Sequence, residues 1–267
     1  MFRILLALAC LVPPALLAQV STKIDLVAWG ADIPCLALGS PEKQPFVTAL
    51  GFRYSEPVPY AGPLAVEIFQ NAATVAEADA AMRAETEKAN KNQEGRPVKV
   101  APLPKRVAPP AGKPGEAPPP VARAVIPAGS QRVTILMAPT ANGTFRTYVI
   151  DDDPAKLPFG RLRVHNLSPL VIALRCNGAT PTEIQPQQTI LVQPQANRQV
   201  VYELAYQHQG QWKMQENNLV KVGPDEQAQM VILKSNDAFF TSSDGSTAGF
   251  LQSVVLRRSR EPEPAAQ

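Results

Sequence analysis

From Lys23 onward apolar side chains recur at every second position, the spacing that puts them on one face of an extended strand. Ile24, Leu26 and Ala28 share a face in a first strand, and Cys35 to Leu38 makes a second after the turn at Asp32-Ile33-Pro34. Runs from Phe46 to Tyr54 and Leu64 to Phe69 follow, separated by Pro57, Pro59 and a turn at Tyr60-Ala61-Gly62-Pro63. Beyond residue 120 the alternation returns more strongly. Val133, Ile135 and Met137 form one face, and Phe145 to Ile150 follows the Asn142-Gly143 turn. Leu162 and Val164 alternate with Arg161, Arg163 and His165, and Val171 to Cys176 is closed by Asn177-Gly178. Further runs cover Thr189 to Val192, Val200 to Tyr206, Trp212 to Gln215, Ala228 to Leu233 and Gln252 to Leu256. Short strands punctuated by Pro and Gly predict an all-β protein, an antiparallel β-sandwich of the Ig-like kind.

Between the two groups of strands the pattern changes. Thr74-Val75-Ala76-Glu77 is a capping box, and the Ala-, Glu- and Lys-rich stretch after it predicts one surface helix over 74–93, stopped at Gly95. Residues 96–120 are Pro-rich and basic, with Lys99, Lys105, Arg106 and Lys113. Such a stretch supplies few ladder donors and little apolar area, which predicts polyproline-like or unstructured chain. The helix and Pro-rich stretch either divide two small β domains or form one insertion, 71–120, in a single sandwich. The second reading is favoured, because 19–70 alone offers about four strands, a thin core. It places the first part of the sandwich at 19–70, the main part at 121–258 and a disordered tail at 259–267.

The first eighteen residues have the form of a secretory signal peptide. Met1-Phe2-Arg3 precedes an apolar run from Ile4 to Val12, then Pro13-Pro14 and a small-residue stretch ending at Ala18. The run is too short to span a bilayer, and no later apolar run approaches that length. The expected location is the periplasm, the cell surface or the medium, with no transmembrane segment after cleavage. A net charge of +3 in 267 residues gives no case for a nucleic-acid partner. Removal of the leader leaves Cys35 and Cys176 in a compartment that permits disulfides, so they are read either as a bridge between distant strands or as two small packed hydrophobes.

Candidate chemistry is sparse. His165 falls on the polar side of a strand and His208 in a hairpin turn, and both are read as solvated. No nucleophile elbow, phosphate loop or dinucleotide fingerprint occurs. Cys176, His165, His208 and Met214 are blue-copper ligand types, but no His or Met closely follows Cys176, and the Cys and His spacings do not suit zinc. Asp151, Asp152 and Asp153 could offer oxygen ligands to Ca²⁺, although successive residues of an extended chain point in different directions and Asp before Pro154 is ordinary turn chemistry. Tyr202, Tyr206 and Trp212 flank one hairpin, and are read as core or as a platform for a sugar or peptide. Asn142-Gly-Thr and Asn166-Leu-Ser match the glycosylation pattern, the second in or beside a strand. No cofactor is expected.

The stretch from Ile126-Pro127-Ala128-Gly129 through Asp153-Pro154, Pro158-Phe159-Gly160 and Arg163-Val164-His165-Asn166-Leu167-Ser168-Pro169, with its Asn177-Gly178 turn, resembles uncharacterised exported β-sandwich proteins of bacterial envelopes. The likeness spans about half the chain and implies a fold and an exported location, but no activity or functional residue. The leading expectation is a non-catalytic envelope module, binding or structural, with an envelope protein or glycan as partner. The alternatives are an exported hydrolase or lyase with an acidic site, and an accessory subunit of a secretion or surface complex.

Overall fold

The computed structural model describes residues 19–42, 45–71, 118–153, 156–234 and 251–260. The predicted leader, helix 74–93 and most of the Pro-rich stretch lie outside them. No helix occurs among the described residues, and none is therefore long and apolar enough to cross a membrane. The protein is all-β.

The strands are β1 (Gln19–Ala28), β2 (Ile33–Leu38), β3 (Val47–Gly51), β4 (Val58–Pro63), β5 (Ala65–Gln70), β6 (Ala122–Val125), β7 (Arg132–Pro139), β8 (Phe145–Asp151), β9 (Arg161–Asn166), β10 (Ile172–Cys176), β11 (Thr182–Ile184), β12 (Thr189–Val192), β13 (Gln199–His208), β14 (Gln211–Lys221), β15 (Glu226–Lys234) and β16 (Leu251–Ser259). Strands on either side of 71–120 pair with each other, β5 with β6 and β1 with β7. Together β1–β8 form one eight-stranded sheet, ordered β6-β5-β2-β3-β1-β7-β8 with β4 added beside β1. Phe145 N–H donates to Val121 O at 2.8 Å, so the two ends of this sheet nearly meet and the unit is barrel-like. Strands β9–β16 make two separate four-stranded sheets, β11-β10-β13-β14 and β12-β9-β15-β16, around a core of their own. The division thus falls between Asp151 and Arg161, not at the Pro-rich stretch.

Three further differences from the expectation have local causes. The ladders β1·β3, β1·β7 and β9·β15 are parallel, so the sheets are mixed and not purely antiparallel. The stretch Val58–Pro63, expected as a turn, is a strand against β1; its prolines are tolerated because no second strand needs their missing N–H groups. Ser259 belongs to β16, and Arg260 N–H bonds Asp225 O at 2.9 Å, so the predicted tail is anchored at its start.

Apart from the β1·β3 ladder, which has no counterpart, the pairing pattern of the first eight strands is repeated by the second eight. β1 lies between antiparallel β4 and parallel β7, which pairs with antiparallel β8; β9 lies between antiparallel β12 and parallel β15, which pairs with antiparallel β16. Likewise β3-β2-β5-β6 corresponds to β11-β10-β13-β14. The correspondence holds residue by residue: Asp25 faces Thr134, which faces Ile150, as Arg163 faces Gln229, which faces Leu256. Bonds outside the ladders repeat too. Trp29 N–H donates to Met137 O at 2.8 Å and Leu167 N–H to Ile232 O at 2.9 Å; Gly39 N–H to Glu67 O and Asn177 N–H to Val201 O are both 2.7 Å. Among the described residues the chain shows two copies of one eight-strand topology, called unit 1 and unit 2 below.

Most strands bury one face in their own unit, β14 being largely exposed. Ile24, Ile135, Val66 and Ile68 fill unit 1, and Leu162, Met230, Val200 and Leu204 fill unit 2. The other faces of corresponding strands meet: Val27, Leu136 and Ile150 of unit 1 pack with Val231, Leu233 and Leu256 of unit 2. Leu136 and Val231 are equivalent by register, as are Ile150 and Leu256, so the seam has the isologous character of a two-fold dimer.

Asn166 is buried at the end of β9. Its amide donates to Leu170 O at 2.7 Å and Ile184 O at 2.9 Å and accepts from the Ser168 hydroxyl at 2.6 Å. The Asn-Leu-Ser triplet is therefore a staple between sheets, and a sugar on Asn166 would not fit.

Candidate functional site at the seam

The seam carries the densest set of polar groups among the described residues. Asp25 lies on β1, Thr134 on β7, Asp152 just past β8, His165 on β9, Gln229 on β15 and Arg258 on β16, each on the face turned from its own core. Asp25 and Asp152 are 0% and 1% exposed. A buried carboxylate needs charged or N–H partners, and both have them. Arg132 holds Asp25 through two bonds, Nε at 2.7 Å and an NH2 at 3.0 Å. Arg258 reaches Asp25 at 2.9 Å and Asp152 at 3.4 Å, and stacks over the Tyr54 ring at 4.2 Å. Thr134 Oγ1 and Gln229 Nε2 both donate to Asp152.

These contacts fix proton positions. Gln229 Nε2 also donates to the Tyr54 oxygen at 3.0 Å, so its Oε1, 2.8 Å from His165 Nε2, accepts. His165 therefore carries its proton on Nε2 and accepts from the Thr189 hydroxyl on Nδ1 at 3.0 Å. Burial pushes the imidazole down to about 4, with nearby Arg163 acting the same way, so it is neutral near pH 7. Burial also raises the Asp152 carboxyl, against the pull of Arg258, Thr134 and Gln229, and raises the Tyr54 phenol. The network is satisfied by its own members. It joins the units, and its carboxylates face no solvent.

The expected site residues are dispersed. Asp151 pairs with Lys156, Asp152 belongs to the buried network, and Asp153 N–H bonds back to Asp151 Oδ1 at 3.2 Å. The three acids thus face different surroundings, and no group of three or more metal-ligand side chains is assembled among the described residues. Tyr202 is buried in unit 2 with its hydroxyl 2.8 Å from Glu216, and Tyr206 packs against the same core. Trp212 is on the opposite face. A bulge in β14 shifts the register so that Met214 faces Ala205 and Trp212 faces Gln207, leaving Trp212, Met214, Val201 and Leu219 as an exposed apolar stripe. The three aromatics therefore do not make one platform. Cys35 and Cys176 sit in β2 and β10 of different units and are not bonded to each other. Burial pushes the Cys176 thiol up to about 11. His165, expected in solvent, is 5% exposed because unit 2's polar strand face lies under unit 1.

Two hollows open on the seam. One, of about 430 Å³, is lined by Asp151, Lys156, Arg163, His165 and Thr189, but those groups are already bonded to one another or to neighbouring backbone. The other, of about 350 Å³, is a cleft with Trp29, Phe52, Tyr148 and Leu167 in its wall and Arg146, Lys234 and Gln252 among its polar groups. Equivalent residues of the two units contribute to it, Trp29 with Leu167 and Arg146 with Gln252.

Local backbone geometry sets the aromatic wall. β3 passes so close to the turn after β1 that a Cβ on Gly51 would lie 2.3 Å from Gly30 O. Gly51 N–H is held by Asp32 Oδ1 at 2.7 Å, and Phe52 N–H by Ala28 O at 2.9 Å. Phe52 takes φ 55°, the left-handed region that an aromatic residue rarely occupies. Its ring meets Trp29 edge-on, 5.5 Å between centroids. Held strain of this kind costs on the order of 1–3 kcal/mol and gathers at binding sites. Gly51→Ala is expected to force β3 off the turn, cost about 1–3 kcal/mol and shift Trp29 emission to the red; unchanged melting and emission would refute the close crossing.

Fold and site together define an all-β protein of two topologically equivalent units, locked by a buried charge network beside a solvent-facing aromatic cleft. Neither a protein-family model nor a curated protein matches the sequence.

Proposed function

We propose that the chain is a non-catalytic exported envelope protein whose two β units form one rigid binding module, with the seam cleft as its ligand site. One observation carries the reading: the carboxylates gathered at the seam, Asp25 and Asp152, are buried and bound to Arg132, Arg258, Thr134 and Gln229, whereas the adjoining cleft is aromatic, open and lined by Arg146 and Lys234. A general acid or base must reach substrate; these are positioned to hold the units together. The leader-like residues 1–18 and the resemblance of 126–178 to exported envelope proteins support export. An acidic-site hydrolase or lyase is the second reading, since Asp25 and Asp152 share Arg258 and are the acids such an enzyme would use.

The test uses the full-length chain in a bacterial host. The expected product is shortened near Ala18, is recovered outside the cytoplasm, and shows no turnover of a panel of glycoside, ester and uronate substrates. Retention of the intact precursor in the cytoplasm overturns export; turnover abolished by Asp152→Asn in a folded protein establishes the enzyme.

A further inference from the structure

We infer that the seam cleft captures a peptide chain end, placing a C-terminal carboxylate against Arg146 and an apolar last side chain against Trp29 and Phe52. This rests on the reading of the cleft as the binding site and adds the ligand's chemistry.

Three features of the cleft argue for it. Arg146 is exposed at the rim and has no ion pair among the described residues, and no Asp or Glu lines the cleft with it. A planar, uncompensated guanidinium suits a carboxylate, which it can bind through two parallel bonds. The same cleft offers the Trp29–Phe52 edge-to-face pair and Tyr148, two residues along β8 from Arg146, surfaces that gain from contact with an aromatic, aliphatic or prolyl group. Gln252 supplies the third. Its Oε1 is buried without a hydrogen-bond partner, while the residue lines the cleft. An orphaned acceptor costs free energy until a donor arrives; a turn of the Gln252 amide would bring its shielded Oε1 to the cleft, where a backbone N–H near a peptide's end is such a donor. About 350 Å³ is at the small end of ligand pockets and suits roughly the last two residues of a chain, not a segment passing through.

Comparison between the units agrees. The equivalents of Trp29 and Arg146 in unit 2 are Leu167 and Gln252, so the two halves contribute unlike groups to one cleft: an aromatic face and cation from one, an aliphatic face and amide acceptor from the other. That gives the cleft a direction, as a ligand with distinct ends requires.

The experiment uses the leaderless full chain carrying Trp212→Phe, so that Trp29, the remaining tryptophan, reports alone. Trp212 lies on the exposed outer face of β14, away from the cleft. Gly-Pro-Phe with a free C-terminus is titrated against its C-terminal amide and against an uncharged chitin tetrasaccharide. Expected is saturable quenching by the free acid, with the amide at least tenfold weaker. Arg146→Gln should remove that preference and leave amide binding unchanged, and Gln252→Met should weaken both peptides without lowering the melting temperature. Equal affinity for acid and amide, or quenching by the tetrasaccharide alone, overturns the chain-end ligand and leaves the cleft a binding site. No response of Trp29 to any of the three overturns both.

Discussion

Replacing Arg258 by Ala is expected to lower the free energy of unfolding by about 3–5 kcal/mol, the range for removing one partner of a buried ion pair. The loss is large because Arg258 serves two carboxylates. Its guanidinium reaches Asp25 at 2.9 Å and Asp152 at 3.4 Å, its side chain is 12% exposed, and it covers the Tyr54 ring. Without it, Asp152 keeps only the neutral donors Thr134 and Gln229, and Asp25 keeps Arg132. The neighbouring Arg257 is the control. It pairs with Glu226 at the surface, 42% exposed, so Arg257→Ala should cost no more than about 1 kcal/mol. Urea unfolding followed by far-ultraviolet circular dichroism measures both. A loss below about 1 kcal/mol for Arg258→Ala would show that the network does not hold the units together.

Acid should weaken the wild-type protein more than a His165→Gln variant. The imidazole titrates near 6.5 in the unfolded chain and near 4 in the fold, because burial opposes its charge. A depressed folded value means the contribution is complete above the unfolded value and is lost as pH falls through 6.5 toward about 4. Between pH 7 and 4 this difference amounts to about 3 kcal/mol. Asp152 works in the opposite sense: its raised carboxyl favours the fold on the acid side, so part of the wild-type loss is offset. Subtracting the His165→Gln profile removes that shared background and isolates the imidazole. Parallel stability curves for the two proteins would mean that His165 is not held neutral between Gln229, Thr189 and Arg163.

Strand positions were readable because most strands bury one face in their own unit. The alternation of Ile24, Leu26 and Ala28, or of Leu162 and Val164, reports that face. The second face was not readable in the same way. Asp25, Arg163, His165 and Gln229 look like ordinary solvent positions between apolar neighbours, and nothing local says that another unit covers them. A clue lay in the matched strands Ile24-Asp25-Leu26-Val27 and Leu162-Arg163-Val164-His165, where the apolar positions agree and the polar ones do not. The repeat is carried by pairing and register, which tolerate unlike side chains, so direct comparison of the two halves shows little. Edge strands were the other loss: Pro59 and Pro63 look like turn residues until β4 is seen to pair on one side only, with β1. The cleft was illegible because Trp29 and Phe52 are brought together by a backbone crossing at Gly30 and Gly51, and Arg146 and Gln252 come from different units.

Charge at the seam also decides who can pair with whom. Unit 1 has Asp25 and Asp152 at the seats where unit 2 has Arg163 and Arg258. Two first halves brought face to face would set acid against acid in a dry joint, and two second halves would set guanidinium against guanidinium. Homotypic stacking is thereby disfavoured although the shapes would match, and crowded chains that exchange halves must still join a first half to a second.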